Sequence, residues 1–356
     1  MSDLELHLPG RLADPNSNLE TDPRADPRIV DALVAVGGFA PGLEPLPKGA
    51  SYEECVAYCN TFEELDAKAH PALFAAMPPF EGIEQTTEII RGVDDNDITL
   101  HVHRPKEVAG PLRCVVHTHG GGMVLMTAAD PNYVRWRGSL ASLGMLVVGV
   151  EFRNGGGTLG NHPFPAGLND CARAVQWTAE NRAALGISQI VVSGESGGGN
   201  LALATALKAK REGWVGEIDG VFAMCPYIHG GYADPPPDLL SLRENDGYML
   251  ECSQMAGLVR VYDPSGEHAT NPLAWPYHAE PPDLQGLPPH VISVNELDPL
   301  RDEGLAYYRK LLAAKVPVVG RTVAGTPHAG DMAFPDIAPE VYQATLDAIH
   351  AFTRSL

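Results

Sequence analysis

Residues 194–198 read GESGG, and the stretches on either side of them decide the fold class. The preceding residues 189–193, QIVVS, are mostly apolar and β-branched, as in a buried strand, and residues 200–211, NLALATALKAKR, predict a strong helix. A serine at so tight a turn from strand to helix projects its hydroxyl group away from the backbone, and the flanking glycines leave room for the turn. Ser196 is therefore a candidate nucleophile.

Strands and helices alternate along most of the chain from about residue 85. Apolar and polar side chains alternate over residues 98–103, which predicts a half-buried antiparallel strand. Near-continuous apolar strands, typical of a sheet covered by helices on both faces, are predicted at 113–118, 145–152, 189–193, 220–224, 290–294 and 316–323. Because parallel strands need helical crossovers, we predict an α/β fold with a mostly parallel central sheet flanked by helices.

The first 80 residues read as helices rather than as part of this alternation. Ile29, Val30, Leu33, Val34 and Val36 predict an apolar helical face that packs onto the rest of the protein. Two capping boxes are also predicted to open further helical turns, Ser51 with Glu54 and Thr61 with Glu64.

A second region that does not follow the alternation of strands and helices lies between the strands predicted at 220–224 and 290–294. These roughly sixty residues are rich in proline and aromatic residues, where one crossover should suffice, so they predict an insertion. Ligands bind beyond the strand ends of open α/β sheets, and we expect the insertion and the N-terminal helices to form a cap there. The predicted organisation is an N-terminal cap segment (1–80), a catalytic α/β domain (81–227 and 286–356) and a cap insertion (228–285).

A second glycine-rich segment, His119 followed by residues 120–122 (GGG), comes directly after the strand predicted at 113–118. Successive glycines can turn adjacent backbone N–H groups toward one point. Such a cluster of donors stabilises negative charge as it develops on a carbonyl oxygen. This loop therefore predicts an oxyanion site rather than a merely flexible connection.

A serine hydroxyl is a poor nucleophile until a base takes its proton and an acid orients that base. On a strand-turn-helix unit of this kind the partners follow in the order serine, acid, histidine. His328, in the loop 325–330 after the last predicted strand, is the candidate base. His350, the other histidine well downstream, lies on a predicted terminal helix (339–354) and reads as a packing or surface residue.

Four acidic residues follow the strand predicted at 290–294, within NELDPLRDE (295–303). Asp298 stands at the strand exit and is the favoured orienting acid, with Glu296 and Asp302 as alternatives. Asp302 and Glu303 also fall in the first turn of the next helix, where acids are expected because of the helix dipole.

Composition excludes several classes of partner. The chain carries 25 Lys and Arg against 45 Asp and Glu, a net charge of −20, which disfavours nucleic acid and anionic membranes and favours a neutral or apolar small-molecule partner. The N-terminal residues lack the basic and apolar regions of a secretory signal. The six cysteines are sparse and predict reduced thiols, so we expect a cytoplasmic protein; the oligomeric state stays open.

Two other sites fit parts of the sequence. Residues 155–160 match the dinucleotide pattern G-x-G-x-x-G, but Pro163 and Pro165 interrupt the helix that this pattern should open. The His-x-His pairs at 101–103 and 117–119 suit a metal-dependent hydrolase, but no further ligand set supports them. We therefore predict no cofactor and no metal. A non-catalytic small-molecule-binding protein of the same fold and a metal-dependent hydrolase remain the alternative functions.

Over nearly its whole length the chain resembles the bacterial hormone-sensitive-lipase-like esterases of the α/β-hydrolase fold. The matching strings are HGGGMV from His119, EFRN from Glu151, HPFP from His162, GESGGGNL from Gly194, ENDGY from Glu244, YDPSGEHA from Tyr262 and NELDPLRDEG from Asn295. The resemblance implies that Ser196 is the nucleophile, Asp298 the orienting acid and His328 the general base.

The resemblance also implies an oxyanion hole made by the backbone N–H groups of Gly121, Gly122 and Gly197, with His119 bracing the glycine loop. It implies a serine carboxylesterase that acts through an acyl-enzyme on short to medium acyl esters, with a macrocyclic lactone as a further substrate type. One departure is the family string DYRLAPE, which here reads EFRNGGG at 151–157.

Overall fold

An eight-stranded sheet forms the centre of the structure, a computed structural model that describes residues 8–36, 43–74, 77–107 and 109–356. Residues 1–7, on which the prediction about a secretory signal partly rests, lie outside these ranges. The strands are β1 (Ile83–Arg91), β2 (Asp97–Pro105), β3 (Leu112–Thr118), β4 (Met145–Glu151), β5 (Ile187–Glu195), β6 (Gly220–Met224), β7 (His290–Asn295) and β8 (Val318–Val323).

Helices precede, separate and follow the strands. They are α1 (Pro27–Val36), α2 (Tyr52–Phe74), α3 (Pro131–Ser142), α4 (Ala166–Glu180), α5 (Arg182–Leu185), α6 (Gly197–Glu212), α7 (Ser241–Glu244), α8 (Cys252–Tyr262), α9 (Pro281–Leu284), α10 (Arg301–Ala313), α11 (Gly330–Ala333) and α12 (Pro339–Ser355), with short 3-10 turns at Gly10–Leu12, Val215–Glu217 and Pro276–His278. None of the described helices is long and apolar enough to cross a membrane.

The strand order is β1-β2-β4-β3-β5-β6-β7-β8, and every pair from β4 to β8 is parallel. β2 is antiparallel to both β1 and β4, as its alternating side chains predicted. The predicted α/β architecture is confirmed. Because the carboxyl ends of parallel strands meet at one edge of a sheet, the loops after β3, β5, β6, β7 and β8 lie together.

The prediction that helices cover both faces of every apolar strand is wrong for β8. Its apolar residues predicted a strand covered on both faces, yet β8 is the edge of the sheet, and Val319 is 59% exposed. An apolar run alone does not report the position of a strand within a sheet, because that position depends on which strand pairs beside it.

One of the two predicted capping boxes forms. Ser51 N–H donates to Glu54 Oε2 (2.6 Å) and Glu54 N–H donates to Ser51 Oγ (3.2 Å) at the start of α2. The box predicted at Thr61 and Glu64 is wrong: Thr61 lies inside α2, and its hydroxyl donates to the carbonyl oxygen of Ala57 (3.0 Å). A threonine in a helix can bond back to the preceding turn in this way without ending the helix.

The apolar face of α1 packs onto the protein, as predicted. Ile29 and Leu33 form a small buried cluster with Phe334 and Ala338, which follow the end of β8. Val34 differs from the prediction because it is 54% exposed. The cluster attaches the N-terminal segment close to the loop that carries His328.

Candidate active site

Ser196 lies at the turn from β5 into α6 with φ 56° and ψ −121°, a backbone conformation that non-glycine residues rarely adopt. Such a conformation costs on the order of 1–3 kcal/mol and persists only where the surroundings hold it. Ser196 N–H donates to the Met224 carbonyl oxygen on β6 (3.0 Å). A Cβ at Gly198 would lie 1.9 Å from the Thr118 carbonyl oxygen, so only glycine fits there. The turn therefore presents the half-buried Ser196 to a cavity.

Asp298 and His328 form a buried pair in the loops that follow β7 and β8. His328 Nδ1 lies 2.7 Å from Asp298 Oδ2, and Asp298 Oδ1 accepts a hydrogen bond from Leu300 N–H (2.9 Å). Burial by itself lowers the pKa of His328, but the adjacent Asp298 carboxylate outweighs it and raises this pKa well above its ordinary value. His328 lines the same cavity as Ser196.

The other acidic candidates are engaged elsewhere. Glu296 accepts a hydrogen bond from Gly325 N–H (2.8 Å), and Asp302 accepts one from Ser241 N–H (2.8 Å). His350 lies on α12, as predicted, and does not line the cavity.

Gly121 and Gly122 of the loop after β3 also line this cavity. Within the described residues, the structure shows no hydrogen-bond partner for the N–H groups of Gly121, Gly122 or Gly197. Gly197 is the first residue of α6, where helical N–H groups have no partner inside the helix. A Cβ at Gly197 would lie 2.6 Å from the backbone nitrogens of both Gly122 and Met123, so the glycine loop packs directly against the Ser196 turn.

His119 is packed inside the glycine loop. Its Nδ1 lies 2.8 Å from the Gly120 carbonyl oxygen, and its ring stacks on Phe152 at 4.2 Å between centroids. Burial lowers the pKa of His119 to about 4, so the ring is neutral and donates from Nδ1.

Sequence reasoning missed Glu195, the residue immediately before Ser196. Its buried carboxylate accepts a hydrogen bond from Gly120 N–H (2.7 Å) and lies 2.9 Å from His117 Nε2. Glu195 therefore connects the glycine loop to the Ser196 turn. The sequence did contain an indication of this role, because Glu195 is a charged residue at the end of a mostly apolar strand. A charged side chain is buried only where a partner satisfies its charge.

Three histidines of the His-x-His pairs each have a polar partner, but neither ring nitrogen of His103 has a hydrogen-bond partner among the described residues. His101 Nε2 lies 3.4 Å from Glu151 Oε2, whereas His103 is buried and its pKa is lowered to about 3 by that burial. Among the described residues, the three side chains grouped closely enough to share a metal ion are Cys225, Asp298 and His328, whose ligand atoms lie within 4.8 Å of one another. Two of these side chains, Asp298 and His328, already form a hydrogen bond with each other.

Residues 155–160 do not open a helix, because the next helix, α4, begins at Ala166. Instead they pair with the glycine loop: Gly155 N–H donates to the Met123 carbonyl oxygen (2.9 Å) and Gly156 N–H to that of Val124 (3.0 Å). The dinucleotide interpretation therefore has no helix N-terminus on which a pyrophosphate would bind.

The cavity beside Ser196 has a volume of about 120 Å³. Its side chains are predominantly apolar. They come from α2, the loop after β3, α3, the loop after β6, the segment around α8, and α11: Tyr58, Phe62, Phe74, Leu125, Met126, Tyr133, Tyr227, Met249, Leu250, Met255, Leu258 and Met332. Thioether and aliphatic side chains of this kind accept an uncharged group of adaptable shape.

The parallel sheet with Ser196 at the turn after β5 is typical of the α/β-hydrolase fold. A family model described as an alpha/beta hydrolase fold matches residues 115–331, and the chain belongs to that family. The predicted resemblance and enzyme class are confirmed, because the similar proteins described next are named esterases.

Among solved structures, the chain is similar to brefeldin A esterase, described as a bacterial homologue of human hormone-sensitive lipase, with 44% identity, 98% of both chains covered and a TM-score of 0.89. It is also similar to esterase Est22, with 36% identity, coverage of 94% of this chain and 99% of that one, and a TM-score of 0.84. Carboxylesterase NlhH of Mycobacterium tuberculosis is 34% identical over 73% of this chain and 79% of its own length. An arylesterase of Saccharolobus solfataricus is 29% identical over 75% of this chain and 84% of its own length.

Proposed function

We propose that this protein is a serine carboxylesterase in which Ser196 is the nucleophile, His328 the general base and Asp298 the orienting acid. The observation that carries the proposal is the buried hydrogen bond of 2.7 Å between His328 and Asp298, on loops that meet the Ser196 turn around one cavity. Because Asp298 holds the proton on Nδ1, Nε2 of His328 is free to accept another.

In the first step, His328 Nε2 takes the hydroxyl proton of Ser196 while Oγ attacks the ester carbonyl carbon. The carbonyl oxygen becomes an oxyanion and accepts hydrogen bonds from the N–H groups of Gly121, Gly122 and Gly197. The tetrahedral intermediate collapses, the ester C–O bond breaks, and the leaving alcohol takes the proton from His328. The acyl group is then bound to Ser196 as an ester.

In the second step, His328 takes a proton from a water molecule, which attacks the acyl carbon. The same N–H groups stabilise the second oxyanion. Collapse of this intermediate breaks the bond to Oγ, returns the proton to Ser196 and releases the carboxylic acid.

The cavity supports uncharged esters with a compact acyl or alcohol group as substrates. Its volume is about 120 Å³, and a cavity of about 150 Å³ in another protein binds benzene. A long acyl chain would extend beyond this space. The likeness to brefeldin A esterase adds a macrocyclic lactone as a second substrate type to test.

The cap proposal rests on the two regions outside the alternating sheet. Helix α2 contacts α8, and both contribute side chains to the cavity wall. We propose that segment 1–80 and insertion 228–285 together cover Ser196 and select the substrate.

The test compares wild type with Ser196→Ala, His328→Ala and Asp298→Asn on p-nitrophenyl acetate, butanoate, octanoate and dodecanoate, with brefeldin A in a separate arm. We expect turnover of the short esters, a loss on the order of 10⁶-fold in kcat for the first two variants and about 10⁴-fold for the third. Mass spectrometry after reaction with diethyl p-nitrophenyl phosphate should place the phosphoryl group on the peptide that contains Ser196. An inactive wild type that binds esters, or a Ser196→Ala variant with full activity, would contradict the proposal.

A further inference from the structure

We propose that Glu63 on α2 is a positioning residue for the oxyanion loop, defined here as residues 119–126, and that it couples the helix in contact with the substrate to the oxyanion hole. The inference rests on the proposed function, because it assigns a role in the same reaction. It concerns a side chain that lies outside every motif described above.

The Glu63 carboxylate joins two loops that are far away in the sequence. Oε1 accepts a hydrogen bond from Met126 N–H (2.5 Å), at the end of the oxyanion loop. Oε2 accepts hydrogen bonds from both the N–H (2.7 Å) and the hydroxyl group (2.8 Å) of Thr158. Bonds from N–H and O–H donors to a charged acceptor are stronger than neutral ones, so this contact holds both loops against α2.

The oxyanion loop is thus held at both ends by carboxylates. Glu195 accepts from Gly120 N–H at its beginning, and Glu63 accepts from Met126 N–H at its end. Asn154 strengthens the second attachment, since its side-chain amide donates to the Met126 carbonyl oxygen (2.7 Å). The N–H groups of Gly121 and Gly122, two of the three that would form the oxyanion hole, lie between these two attachments.

The glycine at position 157 makes the contact possible. A Cβ there would lie 2.2 Å from Glu63 Oε1, and Gly157 has φ 63°. This is the stretch in which EFRNGGG replaces DYRLAPE. Gly157, one of the glycines that matched a dinucleotide pattern, therefore leaves room for a carboxylate from α2.

Helix α2 also contacts the substrate cavity, since Tyr58 and Phe62 line it. An acyl or alcohol group packed against these two rings would press on the same helix that holds Met126 N–H. Binding of a larger apolar group is thereby linked to the position of the oxyanion loop. The N–H groups of this loop stabilise the transition state rather than the bound ester, so their position affects kcat.

The experiment compares Glu63→Gln with Glu64→Gln, a matched loss of one carboxylate at the next, exposed position of α2. The glutamine can orient only one acceptor oxygen toward the two loops. We expect kcat to fall about tenfold in Glu63→Gln with little change in KM, and to stay within about twofold in Glu64→Gln. The ratio of kcat for butanoate to kcat for acetate should also decrease in Glu63→Gln, which a loss of folded protein would not produce.

Thr158→Val, which removes only the hydroxyl donor, supplies a second variant should Glu63→Gln fail to fold, and we expect a smaller loss of kcat in the same direction. Equal kcat values and equal acyl ratios in all variants would overturn the proposal. So would a loss that disappears after activity is normalised to the concentration of Ser196 labelled by diethyl p-nitrophenyl phosphate. Failure of the proposed function is distinct, because wild type itself would then lack Ser196-dependent turnover.

Discussion

Burial and two neighbouring side chains have opposing effects on the pKa of His328. Burial disfavours the imidazolium ion, whereas the Asp298 carboxylate and the thiol of Cys225 favour it, and the pKa of His328 is raised as a result. Burial raises the pKa of the Cys225 thiol, although His328 beside it partly opposes this effect. A base with a raised pKa is protonated, and therefore inactive, up to a higher pH.

The expected pH profile follows from this direction. kcat/KM should fall as the pH drops through the pKa of His328, and this acidic limb should lie above the ordinary histidine value of about 6.5. Asp298→Asn removes the negative charge, so the limb should move to lower pH while kcat falls. The measurement is the profile of kcat/KM from mildly acidic to alkaline pH, with Glu296→Gln as a control that alters an acid without direct contact to His328. A limb that stays in place in Asp298→Asn would contradict the assignment.

At the scale of secondary structure, hydrogen bonds to neighbouring elements position the loops of the proposed active site. The Ser196 turn bonds to β6 through Met224, and Glu195 at the end of β5 holds Gly120 beyond β3. Helix α2 adds the contact from Glu63 to Met126. The start of α2 is stabilised independently by its capping box, so its stability can be tested apart from catalysis.

Ser51→Ala removes the side-chain acceptor for Glu54 N–H and should lower the free energy of unfolding by about 1 kcal/mol. Thr61→Ala is the matched control, because its hydroxyl only bonds back to Ala57 within the helix, and alanine favours a helix; its effect should stay within about 0.5 kcal/mol. Urea unfolding of the full chain, followed by circular dichroism, measures both. An equal or larger loss in Thr61→Ala would mean that the helix starts near residue 61 after all.

At the scale of the whole molecule, the proposed reaction needs only the ester, water and groups that belong to the chain itself. The proposed nucleophile Ser196 and the proposed base His328 line one predominantly apolar cavity, and Asp298 is hydrogen-bonded to His328. The molecule carries a net charge of −20, which suits a neutral ester better than an anionic substrate.

Removal of metal ions with a chelator tests whether the reaction proceeds without a metal. Dialysis of the enzyme against EDTA should leave kcat and KM for p-nitrophenyl butanoate unchanged, since no proposed step passes through a metal. The control is Ser196→Ala, treated in the same way, to measure background hydrolysis. A loss of activity on chelation that added Zn²⁺ restores would favour a metal-dependent hydrolase.

The alternation of strands and helices, the Ser196 turn and the glycine loop could all be predicted from local sequence patterns, because each depends on neighbours a few residues away. Hydrophobic periodicity and glycine spacing report such local burial and backbone geometry directly. The order serine, acid, histidine also reduced the choice of base to His328 and His350, and of acid to a short segment after β7.

Contacts between side chains from distant segments became visible in the three-dimensional structure. It paired Asp298 rather than Glu296 or Asp302 with His328, and it brought Glu63 to the oxyanion loop. It also placed β8 at an exposed edge of the sheet. Each of these contacts joins segments that are brought together by the packing of whole elements. The sequence pattern around one residue does not indicate which distant residue will lie beside it.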